Sequence, residues 1–193
     1  MPTFDSLLLR TERLLLRPLA EDDAPALYAM CADPQVMRYW STPPWQSIEP
    51  AQALIARDIK AMAAGDYLRL ALERIDDGQF IGNCTLFSLM PQCRRAELGY
   101  AIAHAHWGRG YMHEALVALL DHGFTQLALN RVEADVDPRN LPSVRSLERL
   151  GFTREGLLRE RWIVGDEVSD SALYGLLAGD WRKAHPGAAT NET

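Results

Sequence analysis

The segment Ala96–Ala115 reads AELGYAIAHAHWGRGYMHEA and joins a strand pattern to the start of a helix. Its first residues alternate up to Ile102, and two glycines, Gly108 and Gly110, then precede an amphipathic helical pattern. Glycines at that point let the backbone approach a ligand closely, and the free amides of a helix start favour an anion. The segment therefore predicts a pyrophosphate site, although the same glycines would also serve an ordinary turn.

Composition and motifs exclude several other classes. The loop lacks the Lys-Ser/Thr of a P-loop and the third glycine of a dinucleotide fingerprint, which disfavours nucleoside triphosphate and NAD sites. A net charge of −6 gives no basic excess for nucleic acid. Three cysteines fit neither a disulfide framework nor a zinc motif, so we expect reduced thiols and no metal site. No apolar run approaches the ~20 residues of a membrane span, and the N-terminus lacks a signal-peptide pattern, so we expect a cytoplasmic protein.

Downstream of the glycine loop, helix and strand patterns alternate. An apolar helical stripe runs over 110–127, and strict alternation over 131–137 predicts a half-buried strand. Asn140 is placed to cap a helix that runs through Leu150. Two further strands follow, over about 152–164 and 168–177.

Upstream, the chain opens with a strand over 13–19 and a helix that begins near Glu21. A second helix is predicted over about 50–64, with Gly65 as its stop. Three strand patterns then lead to the glycine loop, over 68–75, 80–89 and 95–102.

The order β α α βββ α β α ββ predicts one α/β (α+β) domain over residues 8–182. We expect a mixed, mostly antiparallel sheet of about seven strands, flanked by about four helices. Residues 183–193 are small and polar, and we expect a disordered tail there.

Three motifs in this order resemble the GNAT superfamily of acetyltransferases. They are LRTERLLLRPLAEDDAPAL near the N-terminus, AELGYAI followed by WGRGYMHEA, and VEADVDPRNLPSVRSLERLGF. The resemblance spans roughly Leu8 to Trp181, and the branch most similar is that of the ribosomal-protein N-terminal acetyltransferases of RimJ/RimL type. One departure is Ala105, where the wider superfamily often has Gln or Arg.

The resemblance implies that the fourth and fifth strands, Arg95–Ile102 and Arg131–Asp137, splay apart and hold acetyl-CoA in the notch. Backbone groups of Tyr100, Ala101 and Ile102 would pair with the pantetheine arm. The pyrophosphate would be held by backbone amides of one continuous stretch, Trp107, Gly108, Arg109, Gly110, Tyr111 and Met112.

Two carboxylates are candidates for the catalytic base. Alternation places Glu97 on one strand face with Gly99 and Ala101, which leaves room for a substrate, although a solvated glutamate would look the same. In family members with a carboxylate base on this strand, Glu97 is the matching position. Asp135 matches an acid on the fifth strand of other members. Two close carboxylates would attract a cationic amine and raise one pKa, and the sequence does not choose between them.

The leaving thiolate needs a proton donor, and many family members place a tyrosine where this chain has Leu147. The RimJ/RimL branch instead has the pattern NxxS, present as Asn140 to Ser143, with the serine near the coenzyme sulfur. Ser143 could therefore hydrogen-bond the thiolate, while helix capping by Asn140 would explain the same residues without a function. Part of that branch also has a carboxylate where this chain has Trp162, which puts a ribosomal-protein acceptor in doubt.

The acceptor is expected to be a primary amine, most simply a protein N-terminal α-amine. Freeing a proton at neutral pH costs roughly 1 kcal/mol for an α-amine and roughly 4–5 kcal/mol for lysine. Alternatives are a small-molecule amine such as an antibiotic, an amino acid or a polyamine, and a non-catalytic coenzyme-binding or regulatory module. Trp40 and Trp45 would line the acceptor pocket or simply pack. The resemblance makes a homodimer reasonable, and the sequence does not distinguish an acetyl donor from a longer acyl donor.

Overall fold

The computed structural model describes residues 3–186 and contains one eight-stranded sheet with the order β1-β2-β3-β4-β5-β6-β8-β7. The strands are β1 (Leu9–Arg10), β2 (Leu14–Pro18), β3 (Leu68–Arg74), β4 (Phe80–Met90), β5 (Arg95–Ile102), β6 (Arg131–Val136), β7 (Thr153–Val164) and β8 (Glu167–Leu177). The helices are α1 (Ala24–Ala32), α2 (Pro34–Met37), α3 (Glu49–Ala64), α4 (Tyr111–Thr125), α5 (Leu141–Arg149) and α6 (Ala178–Ala184).

The predicted fold class is confirmed, with small additions. Every neighbouring pair of strands is antiparallel except β5 and β6, which run parallel. The extra strand is β1, a two-residue segment paired with β2, and the extra helices are the short α2 and α6. These three elements are shorter than the windows over which a hydrophobic period can be read, so no periodic pattern predicts them.

The two faces of the sheet carry separate hydrophobic cores. On one face, α4 and α5 pack against β5 through Leu116, Leu147 and Leu98. On the opposite face, α1 and α3 form a second cluster that includes Ala101 of β5. Side chains of β5 therefore alternate between two helical layers, as the sequence pattern predicts.

The parallel strands β5 and β6 stay together for only three residue pairs. Arg95 pairs with Arg131, Ala96 with Val132 and Glu97 with Glu133, and no later pairing joins the two strands in residues 3–186. The strands then diverge and leave a notch in the middle of the sheet. The splay that the family resemblance implies is therefore present.

The end of the chain follows α6, which reaches two residues into the segment assigned to the tail by the sequence analysis. His185 then stacks on Trp181 with ring centroids 3.8 Å apart. Residues 187–193 of that tail lie outside the described part of the chain. No helix in residues 3–186 is both long enough and apolar enough to cross a bilayer.

We predict that Leu116→Ala lowers the free energy of unfolding by about 2–5 kcal/mol, because the fully buried Leu116 side chain fixes α4 to the sheet. Urea unfolding followed by circular dichroism measures this change. The control is Ile59→Ala, at a side chain that is 45% exposed on α3, which should change stability by less than about 0.5 kcal/mol. Equal losses for the two variants would contradict the assigned core.

Candidate active site

A cleft of about 680 Å³ opens where β5 and β6 diverge. It is lined by the ends of both strands, by the loop from Arg38 to Pro44, by the start of α5 and by the β7–β8 hairpin. The cleft brings together the predicted site residues Glu97, Tyr100, Asp135, Asn140 and Ser143. Trp40, Leu147 and Trp162 also line it, whereas Trp45 packs in the second hydrophobic cluster. The glycine loop lies beyond this cleft, between β5 and the start of α4.

The glycine loop has the backbone conformation of an anion cradle. Gly108 and Gly110 have φ angles of +71° and +80°, a region that other residues enter only with strain. Space is not the constraint at Gly108, where an added Cβ would meet nothing within 4 Å. The backbone amides of 108–112 donate to no acceptor within residues 3–186, so they remain available at the start of α4. The cradle therefore fits a diphosphate.

Trp107 and Ile102 differ from the sequence expectation. The amide of Trp107 donates to the carbonyl of His104 at 3.1 Å, so it is not free for a phosphate. The indole Nε1 of Trp107 donates to the carbonyl of Ile102 at 2.8 Å, so that carbonyl is also engaged. These bonds close the turn between β5 and the cradle. Both bonds are local and span five residues or fewer. The Ala103 amide donates to the Ile81 carbonyl at 2.8 Å, so the backbone groups of Ala101 also point toward β4, where Ala101 pairs with Asn83. The edge of β5 that faces the notch is therefore left with the backbone groups of Tyr100.

The cradle is fastened from outside by a cluster of Thr11, Arg13 and Glu114, which we call the loop clamp. The Glu114 carboxylate accepts from Thr11 Oγ1 at 2.6 Å, from the Arg13 amide at 2.8 Å and from Arg13 Nε at 2.6 Å. Arg13 Nη1 also donates to the Arg109 carbonyl at 3.0 Å, and its guanidinium lies 4.6 Å from the centroid of the Tyr111 ring. Partial burial would raise the pKa of Glu114, but the bonds from Thr11 and Arg13 outweigh it and lower that pKa. No local pattern in the sequence indicates the clamp, because Glu114 lies 101 residues from Arg13 along the chain.

Two hydroxyl groups meet on the face of the sheet that carries α4 and α5. The Tyr100 hydroxyl lies 2.6 Å from Ser143 Oγ. Asn140 caps α5, because its side chain accepts from the Ser143 amide at 3.3 Å, and this fixes the first turn that carries Ser143. Burial raises the pKa of Tyr100, so its hydroxyl stays protonated. Tyr100 was predicted to take part only through its backbone. Its hydroxyl, alone on the apolar face of β5, was the feature of the sequence that indicates a role for the side chain.

Glu97 lies on the other face, opposite Phe87 of β4 and Glu133 of β6. Its carboxylate has no hydrogen bond or ion pair with any group in residues 3–186. Glu133, in contrast, accepts from both Arg95 and Arg131 Nε, so its charge is compensated. Glu97 is thus an uncompensated negative charge at the point where the strands part.

Asp135 shares this face but is already paired. Its Oδ1 accepts from the Ser171 hydroxyl, and its Oδ2 lies 3.2 Å from Arg161 Nε. The two carboxylates of the notch therefore differ in environment: Asp135 accepts from Arg161 and Ser171, and Glu97 accepts from no group in residues 3–186. The sequence could not make this distinction because Ser171 and Arg161 come from β8 and β7, which follow β6 at a distance along the chain.

The outer carboxylates of the cleft are also bound to arginines. Arg139 contacts Asp137 at 2.5 Å and Glu167 at 2.7 Å, and Arg38 contacts Glu167 at 3.0 Å. Hydrogen bonds from Arg139 and Arg38 lower the pKa of Glu167. Burial would raise the pKa of Asp137, but its bonds to Arg139 prevail and lower it. In residues 3–186, no cluster of three or more His, Cys, Asp or Glu side chains is arranged to hold a metal ion.

Comparison with known proteins shows which family the chain resembles. A family model described as the acetyltransferase (GNAT) domain matches residues 13–153. The chain is 35% identical over 173 residues to the Bacillus licheniformis protein named "Uncharacterized N-acetyltransferase p20", covering 90% of this chain and 97% of that protein.

Solved structures agree with the fold. A Vibrio cholerae spermidine N-acetyltransferase in complex with CoA and spermine superposes with a TM-score of 0.79 at 25% identity, covering 89% of this chain and 99% of that one. The ribosomal-protein-S5-alanine acetyltransferase of Vibrio fischeri, at 18% identity, has a TM-score of 0.80 over 91% of this chain and 99% of that one, a likeness of fold alone. The matching family uses acetyl-CoA as cosubstrate, and the notch and cradle fit that molecule.

We predict that Glu114→Gln weakens CoA binding by about tenfold or more, because the loop clamp loses its charge-assisted bonds and the cradle loosens. The affinity for pantetheine, which lacks the diphosphate, should stay within about twofold. Calorimetry with both ligands measures the two effects, and Thr11→Val provides a milder change in the same clamp. Equal losses for CoA and pantetheine would show general damage to the fold and contradict a role specific to the cradle.

Proposed function

The chain belongs to the GNAT acetyltransferase family, and from this premise we propose that it acetylates the N-terminal α-amine of a protein or peptide, in the manner of the RimJ/RimL-type enzymes. The activity common to the family is transfer of the acetyl group of acetyl-CoA to an amine nitrogen. The observation that carries the proposal is the uncompensated Glu97 carboxylate in the notch. It lies on the face opposite the Tyr100–Ser143 pair, so donor and acceptor would meet across the sheet.

In this proposal Glu97 accepts a proton from the acceptor ammonium, directly or through a water, and frees the nitrogen lone pair. The nitrogen then forms a bond to the thioester carbonyl carbon, the carbon–sulfur bond breaks, and the nitrogen loses its second proton to the departing thiolate or to water. The Ser143 hydroxyl stabilises the departing thiolate with a hydrogen bond, and its contact with Tyr100 holds it in place. Asp135 keeps a structural role, because Arg161 and Ser171 already engage its carboxylate.

The diphosphate would be bound by the amides of Gly108 to Met112. The pantetheine arm would lie along the free edge of β5 at Tyr100. An extended chain can pair there because β6 has left that edge without a neighbour. Binding of this kind orients the thioester and leaves the opposite face of the notch for the acceptor.

The charge balance of the cleft favours a monocation. Asp135, Asp137 and Glu167 each contact an arginine, which leaves Glu97 as the uncompensated carboxylate among the described cleft residues. A polyamine would bring several positive charges beside those arginines, and this supports an α-amine over a spermidine-type acceptor. An α-amine also deprotonates more easily than an alkyl amine. We expect the enzyme to act in the cytoplasm, where Cys31, Cys84 and Cys93 stay reduced.

The acceptor is tested with peptides that differ only in a free or an acetyl-blocked N-terminus. Release of CoA thiol from acetyl-CoA should occur with the free peptide and fall to background with the blocked one, because the blocked nitrogen has no lone pair available for attack. Spermidine serves as the competing acceptor. Transfer to the blocked peptide at the same rate would refute the α-amine, and CoA binding without transfer to any acceptor would indicate a non-catalytic module.

We predict that Glu97→Gln lowers kcat/KM for the acceptor by about 10²–10⁴ at neutral pH, since the amide cannot take the proton. KM for acetyl-CoA should not change. The loss should shrink as pH rises toward the pKa of the acceptor, because solution then supplies the neutral amine. Asp135→Asn is the matched control and should cost less than about tenfold. A larger loss for Asp135→Asn than for Glu97→Gln would reverse the two assignments.

A further inference from the structure

Four aromatic side chains line the cleft and are unusually open for their size. Tyr39 is 37% exposed, Trp40 41%, Phe87 36% and Trp162 40%. Aromatic rings are normally covered in a folded protein, and a concave apolar surface rimmed by charges is typical of a ligand site. We call these four residues the aromatic wall.

Phe87 places the wall beside the proposed base. It is the register partner of Glu97, so both side chains lie on the same face of the sheet. Its ring extends over Gly99, where an added Cβ would lie only 3.3 Å from Phe87 Cε1. The absent side chain at Gly99 therefore lets the ring lie across β5 next to the Glu97 carboxylate.

The loop that carries Tyr39 and Trp40 is fastened to the far side of the cleft. The Tyr39 ring has the Arg38 guanidinium 5.2 Å from its centroid and the Arg139 guanidinium at 5.9 Å. Both arginines bind Glu167 at the start of β8, at 3.0 and 2.7 Å. The loop is thus joined to the β7–β8 hairpin, and the wall is held in place before a ligand binds.

We propose that the aromatic wall is a subsite for a large apolar side chain, preferably an aromatic one, on the residue that bears the acceptor amine. The inference rests on the proposed function and adds the substrate class. The ammonium of such an acceptor lies at Glu97, and its side chain packs against Phe87, Trp40 and Trp162. Hydrophobic contact and contact between aromatic rings favour an aromatic side chain at this position. An acidic side chain next to the amine is disfavoured, because its charge is repelled by the unpaired carboxylate of Glu97.

The test uses peptides that share one sequence after a variable first residue, Phe, Leu, Ala or Asp. We expect kcat/KM to be highest for Phe, about tenfold or more above Ala, and lowest for Asp. Trp40→Ala and Phe87→Ala should each remove most of the preference for Phe over Ala. The rate with the Ala peptide and KM for acetyl-CoA should change less than about twofold, which general unfolding would not permit. Ile59→Ala, on the exposed face of α3, is the control and keeps the preference.

The outcomes separate this inference from the proposed function. Equal rates for the Phe and Ala peptides, or a preference that survives both wall variants, would overturn the aromatic subsite and leave the α-amine acceptor standing. Phenethylamine is included as a free aromatic amine. If it is acetylated while no peptide is, the peptide acceptor fails and the subsite is supported. If neither it nor any peptide is acetylated, the subsite is overturned together with the acceptor.

Discussion

The parting of β5 from β6 after Glu97 is the constraint on which the site depends. Below that point, Arg95 of β5 forms an ion pair with Glu133 of β6, and Arg131 of β6 pairs with both Glu133 and Glu155 of β7. Gly175 of β8 leaves room for this cluster, because a Cβ there would lie 2.6 Å from both Arg131 Nη2 and Glu155 Oε1. Above it, the edge of β5 that faces the notch has no strand partner among residues 3–186 and borders the cleft. In our proposal an extended ligand pairs with that edge, so the divergence provides both the space and the hydrogen-bonding groups.

The sheet also separates the chemical tasks between its two faces. Alternation along β5 sends Tyr100 toward α5, where it meets Ser143, and sends Glu97 toward the opposite face. In our proposal a proton is taken from the amine on one face and a thiolate is stabilised on the other. A single strand with a period of two can serve both tasks only because the notch lets the reacting atoms meet through the plane of the sheet.

The carboxylates of the cleft differ in whether an arginine compensates their negative charge. The cleft contains four carboxylates, and three of them, Asp135, Asp137 and Glu167, contact arginines from the cleft wall. A carboxylate that accepts hydrogen bonds from an arginine is a poorer proton acceptor than one that does not. Arg38 and Arg139 also fasten the 38–44 loop across the cleft, so one set of ion pairs both shapes the side proposed for the acceptor and leaves Glu97 without a partner among the described residues.

The sequence by itself determined the features that depend on near neighbours. Spacing and residue type within a few positions account for three of them: the alternation of β5, the positive φ angles of Gly108 and Gly110, and the cap at Asn140. Only the tertiary structure decided the partners of those residues. Glu114 binds Arg13, which lies 101 residues away along the chain. Asp135 contacts residues of β7 and β8, and these strands follow β6 in the sheet in the order β6-β8-β7, which differs from their order in the sequence. Local conformation is set by adjacent residues, whereas the compensation of a charge depends on which strands pack side by side, and that is why the different surroundings of Glu97 and Asp135 could not be predicted from the sequence.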